Sequence, residues 1–433
     1  MKSYQNAIEE IHSMPRFSDK PTLERIGKIL ESLGNPQKDL KFIHVAGTNG
    51  KGSVCVMLES ILRNSGLKTG LFISPYVCRF EERIQINGKP VDEKTFVSAW
   101  ERVYKNIKVL QSKGVIVNEF EAVTALGMEI FALENCGIVV LETGLGGKWD
   151  ATNVIEDPLC TVITSIGFDH TAVLGNTISE ITTEKCGIIK ENGITVTAPQ
   201  RSKALEIIRK KAKDKNNIIF FAQDVELDDI EYSIRKTYFT YKGERFSLNL
   251  LGSYQIINVK TVFATLSALN VTKKLGFKIT LESVHKGLDE AVHLARFQVY
   301  SLNPLIIIDG AHNPDGTAQL AKTLHKLLPD EKPIALCGMM ADKKIENSLV
   351  NLKGVFSKIY TVTVDNPRTA TDEAVSKIFM DMGQDAIMCG NVEEGLKIAM
   401  KQAEIEGKPL VVCGSLFLCG EVLNKLENNF LKK

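Results

Sequence analysis

The sequence predicts an α/β protein of two domains: a larger parallel-sheet domain built around a phosphate-binding loop, and a smaller Rossmann-like C-terminal domain. Three observations carry this. The chain has 433 residues, more than a single hydrophobic core usually serves. Short β-branched runs alternate with helix-length segments in two separate series. The first of those runs passes directly into a glycine- and lysine-rich turn.

The first series comprises FIHVA at 42–46, the helical pattern VCVMLESILRNSG, then TGLFIS, GIVVLE, TVITSIG and GITVTA. Strands that are apolar along their whole length and spaced by helices belong to a parallel sheet covered on both faces. The second series is LIIIDG from Leu305, PIALCG at 333–338, KIYTVTV at 358–364 and PLVVCGS at 409–415. Between the two lie a more polar, strand-rich stretch at about 215–250 and a helix over Tyr254–Leu269. The predicted domains are residues 1–296 and 297–433, with no tandem repeat and no low-complexity linker.

Hydrophobic residues make up 44%, charged residues 24%, and the net charge is +1, so no bulk electrostatic attraction to nucleic acid or anionic membrane is expected. The apolar runs are too short to span a bilayer, and MKSYQNAIEEIHSM has no export pattern; a cytoplasmic location is expected. The nine cysteines show no CxxC spacing, which predicts reduced, mostly buried thiols and no zinc or dithiol centre.

The strongest local signal is FIHVAGTNGKGSV, in which a strand runs through Gly47, Thr48, Asn49, Gly50, Lys51, Gly52 and Ser53 into a helix. Glycines let backbone amides close around phosphate oxygens, Lys51 neutralises the outer phosphates, and the helix N-terminus adds partial positive charge. The spacing departs from the usual P-loop, since Gly47 lies three residues before Gly50 and Gly52 separates Lys51 from Ser53. An unliganded glycine turn is the bland alternative, but strand, lysine, hydroxyl and helix coincide, which predicts an ATPase-type nucleotide site.

Phosphate chemistry calls for magnesium, which takes hard oxygen ligands. Glu142 closes GIVVLE, and Asp169 and His170 follow TVITSIG, so both stand at strand carboxyl ends, where open parallel sheets hold their ligands. Alone, Glu142 reads equally as a solvated strand terminus, and His170 as a structural hydrogen-bonding residue.

The segments GTNGKGS, SPYVCRFEERIQING, LETGLGGKWDATN, FDHTAVLG, EKCGIIK and IDGAHNPDG occur in the order and spacing of a known family. The chain resembles the bacterial folylpolyglutamate synthases, commonly also dihydrofolate synthases, of the Mur ligase superfamily, over about residues 10–420. Cell-wall Mur ligases share the core but carry an extra domain in front of it, whereas 46 residues precede Gly47 here, which favours the folate branch.

The resemblance implies that Gly50 to Ser53 hold the triphosphate and that Ser74, Glu142 and His170 bind two magnesium ions. Lys185 in EKCGIIK matches a lysine that the family carbamylates, whereas as a bare residue it reads as a charge on a helix surface. Asn258, Arg296 and Asp309 match nucleotide-contacting residues. Phe120, Glu121, Trp149, Asp150 and Ala151 match the pterin side, and His312 and Ser415 match residues that place glutamate. Ser74, His312 and Ser415 are also plausible plain turn residues, and Phe120 a core residue. The chain departs from the family in having Leu294, Ala295 and Arg296 for Pro-Gly-Arg, and Lys148 and Trp149 for Arg-Leu or Arg-Phe.

The implied activity is an amide ligase of folate and one-carbon metabolism, monomeric, taking ATP, L-glutamate and dihydropteroate or reduced folate. Two alternatives stand beside it: a Mur-type ligase for another carboxylate acceptor, and a nucleotide-hydrolysing regulatory module, which would leave the second strand series unexplained.

Overall fold

A computed structural model describes residues 3–16, 21–276, 278–341 and 345–430. Contacts divide the chain into two compact units. One runs to Leu227 and takes in Ile257–Ala291; the other comprises Asp228–Ile256 and Val292 onward.

The first unit is built on an eight-stranded sheet of β1 (Phe42–Ala46), β2 (Thr69–Phe72), β3 (Ile84–Ile86), β4 (Lys89–Pro90), β5 (Ile138–Glu142), β6 (Cys160–Ile163), β7 (Ile194–Thr197) and β8 (Ile218–Phe221). Its order is β4-β3-β2-β5-β1-β6-β7-β8, with all pairings from β2 to β8 parallel and the β3–β4 hairpin antiparallel at one edge. β1 and β5 are buried at every position, as strands covered on both faces must be. The hairpin turns on Asn87-Gly88, both left-handed, the pair that a two-residue hairpin turn favours.

The helix Lys51–Asn64 is buried from Gly52 to Leu62, and so is a core element and not an amphipathic surface helix. Helix Leu281–Glu290 returns to cover it. Gly287 makes that approach possible, because a Cβ there would stand 2.5 Å from the Cα of Ile61. Trp100, Phe72, Phe96 and Phe131 fill the core on the β2 side.

The second unit contains an antiparallel meander of β9 (Asp228–Tyr232), β10 (Thr237–Tyr241) and β11 (Glu244–Leu248), with Phe239 stacked on Phe246 at 5.6 Å. Its main sheet has the order β12-β13-β17-β14-β15-β16: β12 (Gln298–Leu302), β13 (Leu305–Asp309), β14 (Ile334–Cys337), β15 (Lys358–Thr363), β16 (Ala386–Asn391) and β17 (Leu410–Cys413). Only β12 runs antiparallel to its neighbour. All nine cysteines are free, and all but Cys78 are buried. Among the described residues no helix is long and apolar enough to cross a membrane.

Candidate active site

The site of the first unit forms where β1, β5 and β6 end. β1 lies between the other two, with Val45 in register with Glu142 and Ala46 with Ile163. Beyond Ala46 the chain turns through Gly47–Gly50 into helix Lys51–Asn64, and Gly50 at the N-cap has φ +89°. A Cβ on Gly47 would come 1.8 Å from Thr164 Oγ1, and one on Gly50 2.2 Å from Asn258 Oδ1. The loop is stitched to the end of β6: the Thr48 and Asn49 amides donate to Ser165 O at 2.9 and 3.1 Å, and Thr48 Oγ1 donates to Gly167 O at 3.1 Å. Lys51 Nζ folds back to donate to the carbonyls of Gly47 and Thr48 at 3.2 and 3.3 Å.

Gly50 gives a direct test of this packing. Gly50→Ala should lose about 1–2 kcal/mol of stability through its left-handed backbone, and should raise the KM for ATP by displacing Asn258. Urea denaturation and an ATP titration would check both; wild-type values in each would refute the packing argument.

Glu142 is buried and accepts the Ser74 backbone N–H at 2.9 Å, which joins two of the predicted metal-site residues. Lys185, the last residue of helix Ile178–Lys185, corrects the surface-charge reading: it is 4% exposed and its Nζ donates to Gly47 O at 2.7 Å. Lys185 shares the buried side of its helix with Ile181, one turn earlier, and Thr182. Burial first, and Lys51 second, push its amine down to about 7, opposed by Asp169, Asp150 and Glu142. Lys51, Glu142, Asp150, Asp169 and Lys185 therefore share one electrostatic neighbourhood. His170 is at its rim, left-handed at φ +48° and with a side chain 59% exposed, 3.8 Å from Asp169 Oδ2 through Nε2.

Carboxylate, hydroxyl and imidazole groups at strand ends suit a hard divalent cation, and a half-neutral Lys185 amine can take up CO2 to become one more oxygen donor. Among the described residues no group of three or more His, Cys, Asp or Glu could hold a metal. Nucleotide oxygens and water would have to complete a magnesium shell, which is that ion's usual habit.

Asp150 is buried and accepts from Leu145 N (2.8 Å), Thr152 N (3.0 Å) and Thr152 Oγ1 (2.5 Å); burial pushes its carboxyl up. With its proton given to Asp150, Thr152 Oγ1 accepts from His44 Nε2 at 2.8 Å, and burial holds His44 down at about 3 and hence neutral. Sequence reasoning missed His44 and Thr152. The signal was a histidine in the middle of an otherwise apolar strand.

Phe120 is half-buried against Gly144, where a Cβ would meet its ring at 2.4 Å, and lies edge-on to Phe72 at 6.1 Å. Glu121 closes a capping box with Asn118 and accepts from Arg25 Nε at 2.9 Å, so its carboxylate is taken up in fixing the start of helix Glu119–Leu133. Trp149 is 45% exposed with Lys148 Nζ 4.8 Å from its ring centre, while Ala151 is buried.

In the second unit Asp309 ends β13. Both of its oxygens are engaged by backbone amides, Phe297 N at 2.7 Å and Ala311 N at 2.8 Å, and burial pushes its carboxyl up. Arg296 stands between two left-handed residues, Ala295 (φ +54°) and Phe297 (φ +45°), with Ala295 O accepting from Gly310 N at 2.8 Å. His312 Nδ1 donates to Gly310 O at 2.8 Å. Ser415 is buried, and its Oγ accepts from Leu418 N at 3.1 Å, capping helix Leu416–Phe430. An alanine held left-handed costs about 1 kcal/mol, so Ala295→Gly should raise unfolding stability by about that amount in chemical denaturation; an unchanged midpoint would mean the strain is absent.

The Mur ligase middle domain matches residues 45–266, and the Mur ligase glutamate ligase domain matches residues 295–416. The chain is 33% identical to the folylpolyglutamate synthase of Lacticaseibacillus casei over 435 residues, covering 98% of this chain and 99% of that protein. It is 31% identical to the dihydrofolate synthase/folylpolyglutamate synthase of Bacillus subtilis over 442 residues, again covering 98% and 99%. The structure of E. coli FolC in complex with DHPP and ADP superimposes with a TM-score of 0.85 at 26% identity, covering 99% of this chain and 98% of that one. Matches that span both units from end to end leave one conclusion: this chain belongs to the dihydrofolate synthase/folylpolyglutamate synthase family of Mur ligases.

Proposed function

We propose that this chain is an ATP-dependent ligase that adds L-glutamate to dihydropteroate and to reduced folates through an acyl phosphate, releasing ADP and phosphate. The observation that carries the reading is the convergence of two lysines, Lys51 and Lys185, on the Gly47 carbonyl, with Glu142 one strand away. The likeness over the whole length to folylpolyglutamate synthases supports the choice of substrates.

In the first step a carboxylate oxygen of the acceptor attacks the γ-phosphorus of ATP, and the bond to the β–γ bridging oxygen breaks, with its electron pair leaving on ADP. The loop amides and Lys51 offset the crowded negative charge. Two magnesium ions, held by Ser74, Glu142, His170 and a carbamylated Lys185, would supply further neutralisation and polarise the phosphoryl group when bound. In the second step the neutral amine of glutamate attacks the acyl carbon, its nitrogen loses a proton to solvent or to the departing phosphate, and the tetrahedral intermediate collapses to the amide as phosphate leaves. Phe120, Trp149, Asp150 and Ala151 are assigned to the pterin-bearing substrate, with Glu121 behind them. Asn258, Arg296 and Asp309 are assigned to the nucleotide, and His312 and Ser415 to glutamate.

Residues 1–296 are proposed as the ATP-binding part and 297–433 as the glutamate-binding part of a cytoplasmic monomer. The test is ADP release with L-glutamate and a panel of acids, with product masses. Turnover with dihydropteroate and with tetrahydrofolate is expected; turnover with uridine-nucleotide muropeptides alone would overturn the folate assignment.

A further inference from the structure

One cation beside the candidate site is left unpaired by the fold. Arg83 closes the short helical turn Phe80–Arg83 and leads into β3, the antiparallel neighbour of β2. Its carbonyl accepts from Ile73 N at 3.1 Å, which sets it across from the residue before Ser74, whose own amide donates to Glu142. On its other side Phe72, in register with Ile84, lies edge-on to Phe120. Arg83 is therefore anchored between the Glu142 end of the site and the segment that begins with Glu119 and Phe120.

The nearby carboxylates are engaged elsewhere. Glu81 takes Tyr4 and Arg79, and Glu82 accepts from the amides of Val77, Cys78 and Arg79 at 2.7, 3.0 and 2.7 Å. Glu119 pairs with His12 at 3.6 Å. The contacts of Arg83 are aromatic: its guanidinium carbon is 5.2 Å from the ring centre of Tyr76 and 5.3 Å from that of Phe80. Such rings attract and orient a planar cation without satisfying its N–H groups. Its Nε is buried with no hydrogen-bond partner, and among the described residues the guanidinium makes no ion pair. Burial pushes Arg83 down, opposed by Glu119, Tyr76 and Glu142, while Arg16 adds a second positive charge. A desolvated guanidinium is costly to keep unless an anion is delivered to it, and its fork of donors fits a carboxylate.

The two proposed acceptors differ in one anionic group. Dihydropteroate ends in the carboxylate that reacts. A glutamylated folate brings its reacting γ-carboxylate to the same place and carries, within one glutamate's length of it, an α-carboxylate that does not react. Resting on the proposed ligase activity, with the pterin toward Phe120 and the reacting group toward Glu142, we infer that Arg83 receives the α-carboxylate of the acceptor's terminal glutamate. It is then a specificity residue for folates that dihydropteroate does not use.

The experiment measures KM for tetrahydrofolate, for its α-carboxamide and for dihydropteroate in the wild type, Arg83→Gln and Arg83→Lys. In the wild type the amide should have a KM about thirtyfold above that of the acid, the size of one charge-assisted hydrogen-bonded pair. Arg83→Gln should raise the KM for tetrahydrofolate by about that factor, treat acid and amide alike, and change the KM for dihydropteroate less than about twofold. Arg83→Lys, which keeps the charge and loses the fork, should fall between. Dihydropteroate turnover reports the folding of each variant. An equal rise for both acceptors marks a structural role and overturns the inference, as does a variant that still separates acid from amide as the wild type does. Should Arg83→Gln fail to fold, Arg83→Lys and the wild-type comparison decide, and a wild type indifferent to the amide overturns the site without any variant. If the wild type ligates none of these acceptors, the ligase assignment itself fails; dihydropteroate turnover without an acid–amide difference sinks Arg83 alone.

Discussion

Glu142→Gln is expected to lower the ligation rate by about a thousandfold while leaving the fold and most of the nucleotide affinity in place. The residue is the last of a fully buried strand, so its position is set by the sheet and survives an isosteric change. The glutamine oxygen can still accept from Ser74 N, so the turn after β2 keeps its anchor. What disappears is a buried negative charge among Lys51, Lys185 and the phosphates, where one misplaced electrostatic partner is worth about 100- to 1,000-fold in rate. ADP release measures the rate, and calorimetry with a non-hydrolysable ATP analogue measures affinity. Normal turnover by the variant would remove Glu142 from the chemistry.

Lys185→Ala should be nearly as damaging, and it separates two roles for the lysine. If the amine acts only through its hydrogen bond to Gly47 O, loss of activity should be accompanied by loss of nucleotide binding and no small molecule should restore it. If it acts as a carbamate, short carboxylic acids that fit the vacated space should recover part of the rate. The pH dependence has a definite sign. Because its amine is pushed down to about 7, the neutral form that reacts with CO2 predominates above that pH and the protonated form below it. Activity at limiting bicarbonate should therefore fall as pH drops through about 7, and added bicarbonate should oppose the fall. A rate indifferent to bicarbonate at every pH, with an intact mass lacking CO2, would rule the carbamate out.

The parts of the fold that could be read from sequence were those with a local cause. β1, β2, β5, β6 and β7 announce themselves as short apolar runs, and the phosphate loop as a glycine cluster between strand and helix. The β3–β4 hairpin carried an Asn-Gly signal at 87–88 that was available and passed over, because the flanking strands are only three and two residues long. The meander groups with the second unit through packing, which no periodicity encodes.

The site divides the same way. Glu142 stands at a strand end because four apolar residues count it out, whereas the burial of Lys185 depends on a loop 138 residues away. The link from His44 to Thr152 spans 108 residues and left only a misplaced polar letter in the sequence. Glu121 looked like a substrate contact by resemblance, and its own neighbourhood shows a capping residue tied to Arg25. Ala295 read as a departure from the Pro-Gly-Arg of the family; the structure gives it a physical meaning as a non-glycine residue at φ +54°.

The return of residues 257–291 to the first unit has a consequence for how the protein is made. The apolar helix near the N-terminus emerges early from the ribosome, but its cover at Leu281–Glu290 is translated only after the whole meander has been threaded out. At roughly 5–20 residues per second, that helix flank stays open for about 10–45 seconds, long enough for chaperones to bind or for nascent chains to stick together. A gene stopped at codon 227 would make this wait permanent, and its product would accumulate in the insoluble fraction while the full chain remains in solution.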